Sequence, residues 1–170
     1  MHDRLESGVQ IVFCDANRQM LRGNMSRNVS VNSGSMKFVQ NISIGPHAVQ
    51  ADEPSVYGGS DAGPDSHELL LAALGACASI TVQMYADRKQ WPVEGVHVHL
   101  SYAKVPAEDQ SGAKIGMMDG IEMGISFSGD LSEDQRRRLF DIAGKCPVHR
   151  MLTSQVQIHT KLLEPSSPFR

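Results

Sequence analysis

The stretch DSHELLLAALGACASITVQMYADR, Asp65 to Arg88, decides how the remainder of this chain is read. From Leu69 to Val82 nearly every residue is apolar or small. Leu70, Leu74, Cys77, Thr81 and Met84 fall on one helical stripe, with Leu71, Ala78 and Tyr85 beside it. The spacing predicts a helix, and a helix apolar on almost every side is expected to be buried nearly all round. At about 1.5 Å per residue it would span roughly 35 Å, the width of a small domain. Asp65 followed by Glu68 has the spacing of a capping box, and Pro64 suits a helix entry. Trp91-Pro92 ends the segment, because proline lacks the amide proton and clashes with the preceding turn. The expectation is a central helix carrying Cys77.

Working outward toward the N-terminus, Asp52 to Gly63 (DEPSVYGGSDAG) combines proline, paired glycines and acids, as in a surface loop that delivers the chain to the helix. Before it, Val29–Val31, Met36–Ile44 and His47–Ala51 alternate like strands and are separated by the turn sequences Asn32-Ser33-Gly34 and Gly45-Pro46. They predict an antiparallel meander. Residues 1–28 form an N-terminal extension in which Val9–Cys14 is a candidate edge strand and Cys14 is expected to be incidental.

Toward the C-terminus, Val96, Val98, Leu100 and Tyr102 alternate with His97, His99 and Ser101, predicting a strand with one apolar face. Pro106–Gly120 reads as a long polar loop, and Ile121, Met123, Ile125 and Phe127 as the returning strand of a hairpin. Ser132 and Gln135 have capping-box spacing. Leu139, Ile142, Ala143 and Cys146 then recur at helical spacing opposite Arg136, Arg137 and Arg138, whose run reads as a solvated face. This second helix is expected to end at Cys146-Pro147. His149–Thr153 follows as a turn or short helix, Val156–Thr160 as a last strand, and residues 163–170 as a frayed tail.

A length of 170 residues is enough for one core, and the net charge of −3 without a long basic block argues against nucleic acid. The apolar run is read as too short and too rich in Ala and Gly to span a bilayer, and the start lacks the pattern of a secretory leader, so a cytoplasmic protein is expected. Three cysteines without framework spacing argue against structural disulfides, leaving burial or redox use. His97 and His99 share a strand face, but two imidazoles make an incomplete ligand set and no metal or cofactor is expected.

Cys77 and Cys146 both lie where they can reach one core. Two buried thiols pack as small hydrophobes, or serve as a peroxide-reducing pair in which one thiolate attacks and the other resolves the sulfenic acid as a disulfide. The combination of ADEP, GGSDAGP, ELLLAALGAC and MYADRK between residues 51 and 89 with KCPVHR at residues 145–150 resembles the OsmC/Ohr family, the osmotically induced and organic hydroperoxide resistance proteins. The likeness covers roughly residues 29–162 and lies nearer the OsmC-like branch.

The resemblance implies an α+β fold in which two long central helices are wrapped by antiparallel sheets in an intertwined homodimer. It also implies thiol-dependent reduction of organic hydroperoxides, in a response to oxidative stress. Cys77 matches the peroxidatic cysteine of the family and Cys146 the resolving one, with an external dithiol, such as a lipoyl group, as reductant. Where the hydroperoxide resistance branch has a glutamate ten residues before its reactive cysteine, this chain has His67, with Glu68 next to it. Glu68 is therefore a catalytic candidate as well as a helix cap, and Arg18, Arg22 and Arg27 are candidates for the arginine that such a glutamate orients. The alternative reading keeps the fold without the catalysis, as a dimeric redox-sensing module or one that holds a small apolar ligand.

Overall fold

A computed structural model describes residues 28–108 and 112–164, which fall into two compact units meeting in sequence at Pro64/Asp65. The expected edge strand at Val9–Cys14 and the candidate arginines Arg18, Arg22 and Arg27 lie outside the described residues.

The first unit is the expected meander. Strands β1 (Val29–Ser33), β2 (Gln40–Ile44) and β3 (His47–Ala51) pair antiparallel in the order β1-β2-β3. Register places Val29 opposite Ile44, Val31 opposite Ile42, and Ile42 opposite Val49, so the branched side chains collect on one face. The segment after β3 is held by Asp52, whose side chain is buried. Its Oδ1 accepts the amide of Glu53 at 2.8 Å. Its Oδ2 accepts the Ser60 hydroxyl at 2.6 Å and the amides of Ser60 and Ala62 at 2.8 and 3.1 Å. A β-carbon at position 59 would collide with the carbonyl oxygen of Glu53, which is why the second glycine of GGS is required.

The second unit is built on helix α1 (Ser66–Lys89). Both of its ends are satisfied as the sequence predicts. The Asp65 side chain accepts the Glu68 amide at 2.8 Å, Glu68 accepts the Asp65 amide at 2.9 Å, and Gln90 closes the other end in the left-handed conformation. Strands β4 (Gly95–Glu108) and β5 (Lys114–Ser128) form a long antiparallel ribbon. Helix α2 (Glu133–Ala143) starts at the Ser132/Gln135 capping box, and the short helix α3 (Pro147–Leu152) follows. The fold is mixed α and β with antiparallel sheets, as expected.

The core consists of Leu74, Ala78, Val82 and Ala86 from α1, Leu139 and Ala143 from α2, and Leu131 and Cys146 between elements. The half-buried Val96, Leu100, Met123, Ile125 and Phe127 of the ribbon close it from the other side. Gly75 admits the Leu100 side chain against the helix, because a β-carbon there would meet Cδ1 at 2.8 Å.

Several expectations are corrected. α1 is buried along one stripe only, Leu74-Ala78-Val82-Ala86, while Ile80 and Met84 are 55% and 59% exposed. An i, i+4 row of small and branched side chains packs closest, and the predicted Leu70-Met84 stripe lies beside it. By length and composition α1 is apolar enough to cross a membrane, contrary to the reading of its run as too short. Its packed stripe instead places it in the core of its unit. The loop expected at 106–120 is mostly paired strand, since a ladder needs only backbone groups, and a two-stranded ribbon has edges that tolerate Pro106. Residues 156–160 form no strand and pair with none of the described strands, since alternation alone supplies no hydrogen-bonding partner. Arg136 is not merely solvated: its guanidinium donates to the carbonyls of Phe127 at 2.6 Å and Gly129 at 3.0 Å, tying α2 to the end of β5.

Four donors on one carboxylate hold Asp52 ionised, with its pKa lowered from 3.8 to about 2, the Ser60 hydroxyl being the largest cause. A depressed folded value stabilises fully above the unfolded pKa of about 3.9 and loses that contribution as pH falls toward the folded one. Hydrogen exchange at the Ser60 and Ala62 amides should therefore accelerate between about pH 4 and pH 2 in the parent protein. In Asp52→Asn it should already be fast at neutral pH. Equal protection in the two proteins would remove Asp52 as the clamp of this segment.

Candidate functional site

Two of the three predicted site residues meet. Cys77 sits midway along α1, one position off the buried stripe, and is half-buried. Cys146 is fully buried at the start of α3. Its position follows from local chemistry: Pro147 occupies the first turn, where a missing amide proton costs nothing, and Cys146 is the N-cap. Cys146 Sγ accepts the amide of His149 at 3.3 Å. The sequence placed Cys146 at the end of the second helix; in the structure α2 stops at Ala143 and the cysteine opens the next helix.

The two thiols lie close enough to influence one another. The Cys146 thiol is pushed up from its ordinary value, first by burial, which disfavours the thiolate, and further by its contact with Cys77. The amides of His149 and Val148 pull the other way, as expected at a helix start, but burial outweighs them. Cys146 therefore keeps its proton at neutral pH. Around the pair the half-buried Tyr85, Ile142, Leu100 and Val148 and the buried Leu74 and Ala78 belong to the same apolar cluster. Thr81 Oγ1 donates to the Cys77 carbonyl at 2.7 Å, fixing the helix turn after the thiol. Two neighbouring thiols in apolar surroundings, one buried and one half-buried, are suited to cycling between two thiols and a disulfide.

Glu68 is not brought to the thiols. It is exposed, its carboxylate is used in the capping box, and it forms no ion pair with a described residue. Nine residues of helix separate it from Cys77, about 13 Å along the axis. Neighbouring His67 stacks on Tyr102 at 4.6 Å between ring centroids. Sequence reading passed over Tyr102, Asp119 and Lys104, which form one network: the Tyr102 hydroxyl donates to Asp119, and Lys104 Nζ lies 2.6 Å from the same oxygen. A signal was present, since opposite charges face each other two pairs beyond Tyr102 on the ribbon, but only register reveals it. His97 and His99 share the exposed face of β4, and the described residues contain no group of three or more metal-ligating side chains.

Comparison with known proteins places this arrangement. The sequence matches the family described as OsmC-like protein over residues 58–161, the span holding α1, the ribbon and both cysteines. No curated protein matches the sequence. Among solved structures, the chain resembles an OsmC-like protein from Mycoplasma pneumoniae with a TM-score of 0.61 and 17% identity, over 76% of this chain and 88% of that one. It resembles an organic hydroperoxide resistance protein OsmC from Legionella pneumophila with a TM-score of 0.58 and 15% identity, over 76% and 90%. For the organic hydroperoxide resistance protein OhrB of Bacillus subtilis the values are 0.53 and 17%, over 76% and 91%. At these identities the neighbours speak for the fold, and the family match covers more than half of the chain. Helix, ribbon and cysteine pair together make this chain a member of the OsmC-like protein family.

Proposed function

We propose that the protein is a thiol-dependent peroxidase that reduces organic hydroperoxides, with Cys77 as the attacking residue and Cys146 as the resolving one. The observation that carries this reading is that both free thiols pack in one apolar cluster close enough to influence one another, Cys146 buried and Cys77 half-buried. The Cys77 thiolate attacks the terminal peroxide oxygen; the O–O bond breaks, the alkoxide takes a proton and leaves as the alcohol, and Cys77 becomes a sulfenic acid. Cys146 then attacks that sulfur. Its proton leaves with the sulfenic hydroxyl as water, and a Cys77–Cys146 disulfide remains. An external dithiol of the lipoyl kind returns two electrons and two protons. Free thiols of this type belong in a reducing compartment, in keeping with the cytoplasm.

The same reading includes a homodimer. Ile80 and Met84 are exposed on α1, and beside them a groove of about 350 Å³ runs between Leu71, Ala72 and Ala76 of the helix and Val96, Val98 and Leu100 of β4. A second α1 laid along this face would give both helices the cover that their composition calls for.

Three experiments test these points. Cys77→Ser should abolish turnover, since a hydroxyl is too weakly acidic to supply the nucleophile. Cys146→Ser should permit one attack and then over-oxidise at Cys77 to the sulfinic acid, whereas the parent protein forms the Cys77–Cys146 disulfide after one equivalent of peroxide; mass spectrometry reads all three. Unchanged turnover in Cys77→Ser would remove Cys77 as the nucleophile, and no turnover by the parent protein would transfer it to the non-catalytic, ligand-holding reading.

Glu68 enters this proposal as a cap. Glu68→Gln retains a carbonyl for the Asp65 amide and should retain turnover; a loss of about a hundredfold, the size of a general acid–base contribution, would return Glu68 to the catalytic set.

Sedimentation at micromolar concentration should give the mass of two chains, and Ile80→Arg should reduce it to one, because a charge cannot be buried unpaired in an apolar interface. A single-chain mass for the parent protein would remove the dimer.

A further inference from the structure

A second cleft, of about 360 Å³, opens at the N-terminal end of α1 and combines two kinds of surface. Its apolar wall is Leu70 and Leu71 of α1, Ile121 of β5 and Leu152 from the end of α3. Its polar wall is His67, Tyr102 and Asp119. The helices that carry the two cysteines thus each contribute to this cleft: α1 bears Cys77, and α3 begins at Cys146. Leu70 lies two turns before Cys77, about 10 Å along the axis and nearly on the same side.

The polar wall is organised as a unit. His67 stacks on Tyr102, with the ring planes 25° apart. The Tyr102 hydroxyl and Lys104 Nζ both bond to Asp119 Oδ1. Asp119 is held below the usual carboxylate range by Lys104 first and Tyr102 second, and Tyr102 is raised by its bond to Asp119. At neutral pH the cluster is therefore a carboxylate, an ammonium and a neutral phenol, with zero net charge while the imidazole is neutral. Lys104 and Asp119 are 57% and 65% exposed, so the polar wall stands at the open mouth.

Resting on the peroxidase reading, we propose that this cleft seats the organic group of the substrate and selects hydroperoxides whose far end carries a neutral hydrogen-bonding group such as a hydroxyl. The alkyl body packs on Leu70, Leu71, Ile121 and Leu152. The terminal hydroxyl donates to Asp119 Oδ2 and accepts from His67 or Lys104. A plain alkyl end gains nothing from these groups, and a carboxylate end meets Asp119 as a like charge while Lys104, the nearby ammonium, is already engaged by Asp119. The ion pair is thus a filter against both.

The test separates binding from chemistry. In full-length Cys77→Ser protein, octanediol, octanol and octanoate are titrated at about pH 8, above the ordinary imidazole value, and binding is followed by NMR and calorimetry. Octanediol should bind about tenfold tighter than either of the others, the effect of one well-made hydrogen bond to a charged group. Asp119→Ala and Tyr102→Phe should each reduce that preference, and chemical shifts should move at the Leu70, Ile121 and Leu152 methyls. Equal binding of the three ligands, preference for octanoate, or shifts confined elsewhere would overturn the proposal. Turnover of tert-butyl hydroperoxide by the parent protein, too small to span both sites, reports separately on the peroxidase reading.

Discussion

Close packing of one helix stripe is the constraint on which the second unit depends. Leu74, Ala78, Val82 and Ala86 are all essentially without solvent contact, and two of the four are alanines. Small side chains let the α2 residues Leu139 and Ala143 and the ribbon residue Leu100 approach the helix backbone, and Gly75 extends that approach by a further turn. Burying Leu139 removes it wholly from water, a gain of about 2 kcal/mol by area. The stripe also sets the rotation of α1. With Ala78 at the centre, Cys77 is turned to the edge of the core and is half-buried.

The environment of Cys146 follows from the same packing. A cysteine at a helix start is ordinarily a candidate for an acidic thiol, because amide protons point at its sulfur. Here the His149 amide does so at 3.3 Å, yet full burial reverses the sign. Desolvation of a thiolate in an apolar cluster outweighs one long, neutral hydrogen bond. Two cysteines of one chain thereby acquire different characters, one accessible and one protonated and enclosed. The asymmetry comes from where each is packed rather than from any difference between their neighbours in sequence.

The ribbon and the exposed face of α1 show what this unit leaves uncovered. β4 and β5 are long for a sheet of only two strands, and such a ribbon is marginal unless something packs on it. Its inner half is supported by α1, through Val96, Val98 and Leu100. Farther out, Val105, Ile115, Met117 and Met118 are exposed. Ile80 and Met84 of α1 are exposed as well, so the unit leaves large apolar side chains uncovered on both the ribbon and the helix.

Much of this was legible in the sequence, because the signals were local. Capping boxes at Asp65/Glu68 and Ser132/Gln135, the turns around the first three strands and the alternation from Val96 to Tyr102 each depend on residues a few positions apart. So did the candidacy of Cys77 and Cys146. The direction in which α1 is buried was not legible: a helix apolar on all sides carries no phase, and only the partners it meets choose Ala78 over Thr81 as the centre. The ribbon's outer half was hidden because backbone pairing leaves no pattern in polar residues, and the supposed strand at 156–160 failed because alternation is not a partner. The sequence by itself determined most of the elements, both capping boxes and the two candidate cysteines. Only the tertiary structure decided that the thiols are neighbours, that burial raises Cys146, that Glu68 caps the helix instead of reaching them, and that Tyr102 and Asp119 join His67. Each of these turns on burial or on contact between residues distant in the chain, which no local pattern encodes.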